Sequence, residues 1–520
     1  MTWDKEVKKI KEREKLSLAQ GGSESVKTQH KKGRKTLRER IDIILDKNSF
    51  DEVGKIAGSP EYNEAGELKN FTPSNFLLGF GKIQDRSVVI GGEDFTLKGG
   101  SPNPSGLRKS IYTEELALKY KIPLIRLHEG GGGSVTGSGG TAKKPTVPSG
   151  DAVFSKNRFQ ALAKCLAVLP VATAALGPVA GLPAARLVAS HFSVMTQNSQ
   201  VLIAGPAVVK RALGIDITKE ELGGPDVHLK SGTVDNLAEN EEDALNQIKT
   251  FLSYLPDNYQ KLPPNIKTSD SKNRVENDLI DIIPKDRRKI YNMRKILSMV
   301  LDLNSFFEYG KQYGSSLITG LSRLNGESVA IIANDCMIYA GAMTADASMK
   351  LRRFIEFVNT FNIPVVSFVD EPGFMIGPDS EKAGTIRHGT AAISALMQSQ
   401  VPWASIIVRK VFGVAGGAHF APDSYVLSWP SAETGTLPVE GGVAIAFKKE
   451  IEASENPELK RKELEDMLMM RSSPFPRAES FSVHELIDPR ETRSKLITWL
   501  ELVVKTRHAN KDIYKTSMLP

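Results

Sequence analysis

The chain has 520 residues, of which 40% are apolar and 25% charged, with a formal net charge of +7. The length predicts two or three domains, and the composition is that of an ordinary globular protein. Two cysteines, Cys165 and Cys336, lie in apolar stretches, which excludes a disulfide framework or a cysteine-built zinc site. No apolar run reaches the roughly 18 residues of a membrane span. The N-terminal stretch lacks the apolar segment of a signal peptide and is too acidic for a transit peptide, so a reducing, cytoplasmic compartment is expected. Much of the basic excess sits between Lys5 and Arg40. Without interleaved aromatics it reads as a solvated helix face or a subunit contact rather than a nucleic-acid site.

In chain order, residues 1–46 predict helix, a break at Gly21-Gly22, and helix again, with Leu37, Ile41 and Leu45 spaced by four. Leu77–Ile90 predicts a hairpin turning at Gln84 and Asp85. Gly99–Gly106 reads as loop, Thr113–Tyr120 as helix, and Ile122–Leu127 as a buried strand ending in HEGGGG. Lys143–Gly150 reads as a surface loop and Arg158–Ala167 as helix. Val171–Leu176 predicts a strand, and Gly177–Leu182 a turn into a helix. Pro256–Pro284, rich in proline, asparagine and charge, is the expected boundary between domains 1–260 and 261–520. Beyond it, Ile363–Val369 and Trp403–Val408 predict buried parallel strands joined by a helix over Thr390–Gln400. Their glycine turns are Pro372–Gly377 and Gly413–Gly417.

The second half repeats the first. NSFDEVGK at Asn48–Lys55 returns as NSFFEYGK at Asn304–Lys311. Ser87 to Ser328 and Ile122 to Ile363 are the same distance apart in the chain. GPVAGLPA and RKVFGVAG then follow matched strands. The expectation is two copies of one α/β domain.

Each copy carries two glycine turns at strand ends, where α/β proteins build ligand sites. A turn opening a helix directs unbonded N–H groups outward, so it binds a phosphate or stabilises an oxyanion such as an enolate. Glycine there also serves positive φ and close packing. The N–H groups of Gly181 and Leu182 are expected to stand free, since Pro183 has none of its own. HEGGGG lacks the ending of a P-loop, no dinucleotide fingerprint or nucleophile elbow occurs, and His128-Glu129 is not a zinc motif. His388 reads as a structural hydrogen bonder. Asp370 and Glu371 are adjacent and point apart, which argues against a paired-carboxylate mechanism. Ser348-Met349-Lys350 sits in a charged helical context and is rejected as a biotin attachment site. The residues therefore suggest two hydrogen-bonding holes, one per copy, for two carbonyl oxygens.

AQGGSESVKTQHKKGRKTLRERIDIILDKNSFDEVG, EDFTLKGGS, GPAVVKRALGIDITKEELGG, FVDEPGFMIG, GTIRHG, VRKVFG and SWPSAE together resemble the carboxyltransferase (beta) subunit of biotin-dependent acyl-CoA carboxylases, of the propionyl-CoA carboxylase type. The resemblance covers nearly the whole chain. It implies two tandem crotonase-like (ClpP/crotonase) domains, a duplicated β-β-α superhelix, with coenzyme A on the first half and biotin on the second. It implies transfer of CO2 from carboxybiotin to the α-carbon of an acyl-CoA, in a homo-hexamer whose sites lie between subunits. The partner implied is a biotin carboxylase and biotin carboxyl carrier subunit; no metal, nucleic acid or membrane span is expected. By position, Gly181 and Leu182 would form one oxyanion hole and Val414 and Ala415 the other. Gly99, Gly100, Gly130, Gly131, Gly373, Phe374 and Gly413 would line the coenzyme A and biotin sites.

The chain departs from the family at three turns. Where the family commonly has D-S-G-G-A-R, it has HEGGGG at His128–Gly133, without the arginine. Where propionyl-type enzymes have Y-G-G-A-Y-D it has FGVAGG, placing Gly417 at an acidic position. The family's first-half G-G is Gly181-Leu182. The first two remove an arginine and an acidic side chain, and all three keep backbone N–H groups. Alternatives are the carboxyltransferase subunit of an acyl-CoA decarboxylase, a stand-alone hydratase or isomerase, and an inactive assembly subunit.

Overall fold

The computed structural model describes residues 2–132 and 159–512. Gly133, Arg158 and the loop expected at Lys143–Gly150 lie outside them. The chain divides into two compact units, Met1–Tyr259 and Gln260–Met518.

The first unit opens with helices Asp4–Leu18, Ser23–Lys31 and Leu37–Ile44. Gly22 breaks the first from the second at φ 87°, as expected, and Gly33 adds an unpredicted break at φ 70°. The third helix starts on a capping box: Glu39 N–H donates to Thr36 Oγ1, and Thr36 N–H donates to the Glu39 carboxylate. The strands follow as β1 (Asp51–Glu52), β2 (Gly58–Tyr62), β3 (Leu68–Pro73), β4 (Phe76–Ile83), β5 (Arg86–Glu93), β6 (Leu124–Gly130), β7 (Val171–Ala180), β8 (Phe192–Thr196), β9 (Gln200–Leu202) and β10 (Asn236–Ala238). β2 and β3 pair with each other. The other eight form one sheet in the order β1-β4-β5-β6-β7-β8-β10, with β9 beside β7. β4 and β5 are antiparallel, and β5 through β8 run parallel. Helices Pro104–Tyr120 and Phe159–Val168 make the crossovers.

The second unit repeats this plan. Its strands are β11 (Phe307–Glu308), β12 (Leu317–Leu324), β13 (Glu327–Asn334), β14 (Val365–Glu371), β15 (Trp403–Phe412), β16 (Tyr425–Ser428), β17 (Glu433–Gly435) and β18 (Glu485–Leu486). Their order is β11-β12-β13-β14-β15-β16-β18, with β17 beside β15. The match reaches single residues. Val89 pairs with Leu124, and Leu124 with Val171; at the repeat positions Ala330 pairs with Val365, and Val365 with Trp403. Even the irregularity recurs, between His128 and Gly130 in one copy and between Val369 and Glu371 in the other. The repeat in the sequence is therefore a repeat of topology and register.

The β4–β5 and β12–β13 hairpins are each pinned by one aspartate. Asp46 accepts the N–H groups of Gln84 (2.9 Å) and Asp85 (2.8 Å), and Asp302 those of Asn325 and Gly326 (2.9 Å each). The predicted turn residues Gln84 and Asp85 have φ of 50° and 63°, a two-residue turn with both central residues left-handed.

Three boundaries differ from expectation. The helix read from Thr113 begins at Pro104, so Pro104–Gly106 is its first turn and not loop; Asn103 caps it through the Gly106 N–H at 2.7 Å. The helix read from Thr390 spans Thr385–Met397. Most consequentially, Gly177–Ala180 is strand, not turn. Pro178, Val179 and Ala180 pair with Gln200, Val201 and Leu202 on β9, and this edge extends β7. β17 extends β15 through Lys410–Phe412 in the same way.

Candidate functional site

In each unit three parallel strands end side by side, and the residues that follow converge. In the first unit β5 leads to a tight turn at Lys98–Gly100, β6 to Gly131 and Gly132, and β7 to Gly181 and the helix Leu182–Val188. The turns touch. Gly131 N–H donates to Gly99 O at 3.0 Å, and Ser101 Oγ to Gly132 O at 3.3 Å. A Cβ on Gly132 would stand 3.3 Å from Ala180 O and 3.4 Å from Gly181 Cα. Gly99, Gly100, Gly130, Gly131, Gly181 and Leu182 thus share one corner of the first unit. Gly100 is needed for space as well as for its φ of 68°, since a Cβ there would fall 2.5 Å from Glu129 O.

The second unit repeats the corner. Met343 N–H donates to Gly373 O (3.0 Å), Met375 N–H returns to Met343 O (2.9 Å), and Gly373 lies against Phe412 O. Gly341 packs on the Asp370 carbonyl as Gly100 packs on that of Glu129. A Cβ on Gly389 would lie 2.2 Å from the Phe374 ring. The glycine of the RHG stretch is therefore a seat for Phe374, which holds the Gly373 turn down on the helix Thr385–Met397. His388, beside it, is half-buried on that helix.

Both strand exits have a glycine at positive φ, 64° at Gly181 and 63° at Gly413. One expectation is corrected. The Gly181 N–H is not free: it donates to Leu202 O at 3.2 Å, because β9 runs alongside the exit. The Leu182 N–H, at the first helical position, has no acceptor within its helix. In the second unit Gly413, Val414 and Ala415 form the first turn of the helix Gly413–Gly416, whose N–H groups likewise lack intrahelical acceptors. Ala415 is fully buried, whereas the Val414 side chain is 66% exposed, so the departure from glycine there points outward.

Sequence reasoning missed the ionic locks beneath both corners. The residue inside each register irregularity is a buried carboxylate. Glu129 binds Arg40 (2.7 Å), Arg34 (3.2 Å) and Gln29 (2.6 Å). Arg40 in turn bonds Glu241 (2.6 and 3.0 Å) and Leu176 O (3.1 Å), tying the third helix to the sheet. In the second unit Asp370 takes the Arg409 guanidinium (2.9 Å), the Tyr291 hydroxyl (2.9 Å) and the Lys410 N–H (3.0 Å). Arg409 lies 4.7 Å from the Tyr291 ring centre and donates to Lys289 O at 2.8 Å. Burial, then the Asp370 charge, pushes the Tyr291 hydroxyl well above its usual range. The two locks are built inversely. Arg409 stands on β15 where β7 has Gly177, and a Cβ on Gly177 would meet Glu129 Oε1 at 2.5 Å. The longer acid in the first copy fills the strand position and recruits its arginine from the N-terminal helices. One available signal was the acid preceding each glycine turn, at matching places in the repeat.

Asp370 and Glu371 do point apart. Glu371 is held by Asn334 Nδ2 (3.0 Å), Gly373 N–H (2.9 Å) and His419 (3.5 Å), and burial raises its pKa. Among the described residues neither corner pairs two carboxylates across an open space, and each presents backbone N–H groups.

A carboxyl transferase domain model matches residues 28–516. The chain is 32% identical over 526 residues to the propionyl-CoA carboxylase carboxyltransferase subunit of Haloferax mediterranei, covering 98% of each. It is 32% identical over 495 residues to the methylmalonyl-CoA decarboxylase subunit alpha of Veillonella parvula, covering 94% of each. Its structure superposes on a chain of transcarboxylase 12S, a hexamer assembly solved with methylmalonyl-coenzyme A and methylmalonic acid bound, with a TM-score of 0.88 at 30% identity, over 100% of this chain and 98% of that one. The two units are tandem crotonase-like domains, and the chain belongs to the carboxyl transferase family, that of the carboxyltransferase subunits of biotin-dependent acyl-CoA carboxylases.

Proposed function

We propose that the chain transfers CO2 from carboxybiotin to the α-carbon of an acyl-CoA, through a thioester enolate held by backbone N–H groups. The carrying observation is the doubled strand exit, with a left-handed glycine followed by helix N–H groups that lack intrahelical acceptors. A hole that donates only N–H groups favours the charge that develops on an oxygen and needs no reorganisation as it develops. Leu182 donates in the first unit, residues 1–260, taken as the acyl-CoA side. Val414 and Ala415 donate in the second, residues 261–520, taken as the biotin side. Carboxybiotin supplies the CO2, and its ring nitrogen accepts the α-proton as the carboxyl group departs. A separate biotin carboxylase and carrier subunit presents it to a homo-hexamer of this chain. A second reading, decarboxylation by the same site in reverse, draws on the similarity to a decarboxylase alpha subunit.

The test is exchange of CO2 between free biotin and a panel of carboxylated acyl-CoAs. Transfer to or from at least one of them is expected, and none with any of them sinks the proposal. Ala415→Pro removes one N–H in the first helical turn. It should slow exchange by about 10²-fold or more, and an unchanged rate would mean the second hole is misplaced.

A further inference from the structure

Below the first-unit corner lies a group of charged side chains that the mechanism above leaves unused. Arg126 and His128 are alternate residues of β6 and so share a face of the sheet. Arg126 bonds Glu114 and donates to Ser110 O at 2.7 Å. Arg186, one helical turn beyond Leu182, donates to Glu114 Oε1 (3.0 Å) and Ser110 Oγ (3.3 Å). His128 Nδ1 is 3.1 Å from Glu93 Oε2, at the end of β5. All five ionisable side chains are buried.

Their hydrogen bonding is incomplete. Arg126 Nε and Nη1, Arg186 Nη2, His128 Nε2 and Glu114 Oε2 have no partner. These are five of the thirteen such buried side-chain atoms found among the described residues. A native interior rarely leaves polar groups unmet, and a concentration of them marks a place where water or a ligand completes the bonding. The fold itself does not require charge here. In the second unit the positions of Ser110, Glu114 and His128 are taken by Leu351, Ile355 and Val369, all buried.

We propose that this cluster is an internal binding site for a carboxylate-class oxyanion. Three of the five unmet atoms are arginine N–H donors, a fourth is an imidazole nitrogen, and only one is an obligate acceptor. The guest is therefore rich in acceptor oxygens, and two guanidinium planes suit a carboxylate. The cluster joins the three strands whose ends form the corner, through Glu93 on β5, His128 on β6 and Arg186 beyond β7. Its guest is either a free anion such as bicarbonate or the carboxylate end of an acyl chain entering from the corner. The site stands on the first unit alone; only its use by an acyl chain rests on the function proposed above.

The test is calorimetric titration of the full chain with sodium acetate, glutarate and bicarbonate, against sodium chloride at matched ionic strength. Saturable binding beyond chloride is expected. It should weaken at least tenfold in the triple variant Arg126→Ser, Glu114→Ile, Arg186→Ala, which removes both arginines together with the carboxylate they share and leaves Glu93 with His128. Should that variant not fold, Arg186→Lys and His128→Phe singly must each weaken binding. Displacement of acetate by glutaryl-CoA but not by butyryl-CoA assigns the site to the acyl chain, and bicarbonate binding without that displacement assigns it to a free anion. No binding above chloride, or equal binding in the folded variants, overturns the proposal. A chain that binds carboxylate yet performs no CO2 exchange would retain the site and lose the proposed reaction.

Discussion

Replacing Arg409 with Met tests whether the second-unit corner depends on its ionic lock. The substitution removes three donations to Asp370 (2.9, 3.2 and 3.2 Å), one to Lys289 O (2.8 Å) and the cation over the Tyr291 ring. Asp370 is fully buried and keeps only the Tyr291 hydroxyl and the Lys410 N–H. Breaking a buried pair from one side costs about 3–5 kcal/mol, most of it the carboxylate left without its cation. Asp370→Asn added to Arg409→Met removes that charge, so the double variant should be more stable than Arg409→Met alone. The assay is urea unfolding followed by tryptophan fluorescence. Trp403 and Trp429 are buried in the second unit and Trp499 packs against its core, whereas Trp3 is exposed, so the signal reports the second unit. A loss below about 1 kcal/mol in Arg409→Met, or a double variant no better than the single, would refute the lock.

Gly100→Ala drives a methyl to 2.5 Å from Glu129 O at a φ of 68°, and should lower both first-unit stability, by about 1–3 kcal/mol, and CO2 exchange; activity equal to wild type would show the turn to be unimportant. Gly181→Ala faces φ 64° and ψ −126°, a conformation that side chains disfavour. It should slow exchange while leaving tryptophan-monitored unfolding of the second unit unchanged, and an effect on that unfolding would count against its local role. Asp46→Ala frees two turn N–H groups and should destabilise the first unit by about 1–2 kcal/mol in thermal unfolding followed by circular dichroism. The backbone N–H groups of Asp85 and Gln84 hold the Asp46 carboxyl below its usual range. Its stabilisation is therefore present above the unfolded pKa and lost as pH falls through the folded one, so wild type and variant should converge in strong acid.

The chain order of strands, the hairpin turn at Gln84-Asp85 and the duplication are written in local patterns. Apolar runs mark the buried strands β6, β14 and β15, glycines mark their exits, and matched spacing marks the second copy. These are legible because neighbours in sequence decide them: periodicity, turn residues and caps act within a few positions. The positions of the glycines at both corners were legible for the same reason.

Other features depended on partners distant in the chain. Gly177–Ala180 reads as turn from its own residues and is strand only because Gln200–Leu202 lies beside it. The Gly181 N–H reads as available from its own turn, and the same edge strand supplies it with the Leu202 carbonyl at 3.2 Å. Glu129 and Asp370 gave no sign of their arginines, since one comes from the third helix and the other from the neighbouring strand. The sequence by itself thus determined the central buried strands, that they occur twice, and which glycines stand at their exits. The tertiary structure alone decided which N–H groups remain free and which buried charges are paired. Hydrogen bonds and ion pairs are settled by whatever group reaches within about 3 Å, and distance along the chain does not predict that.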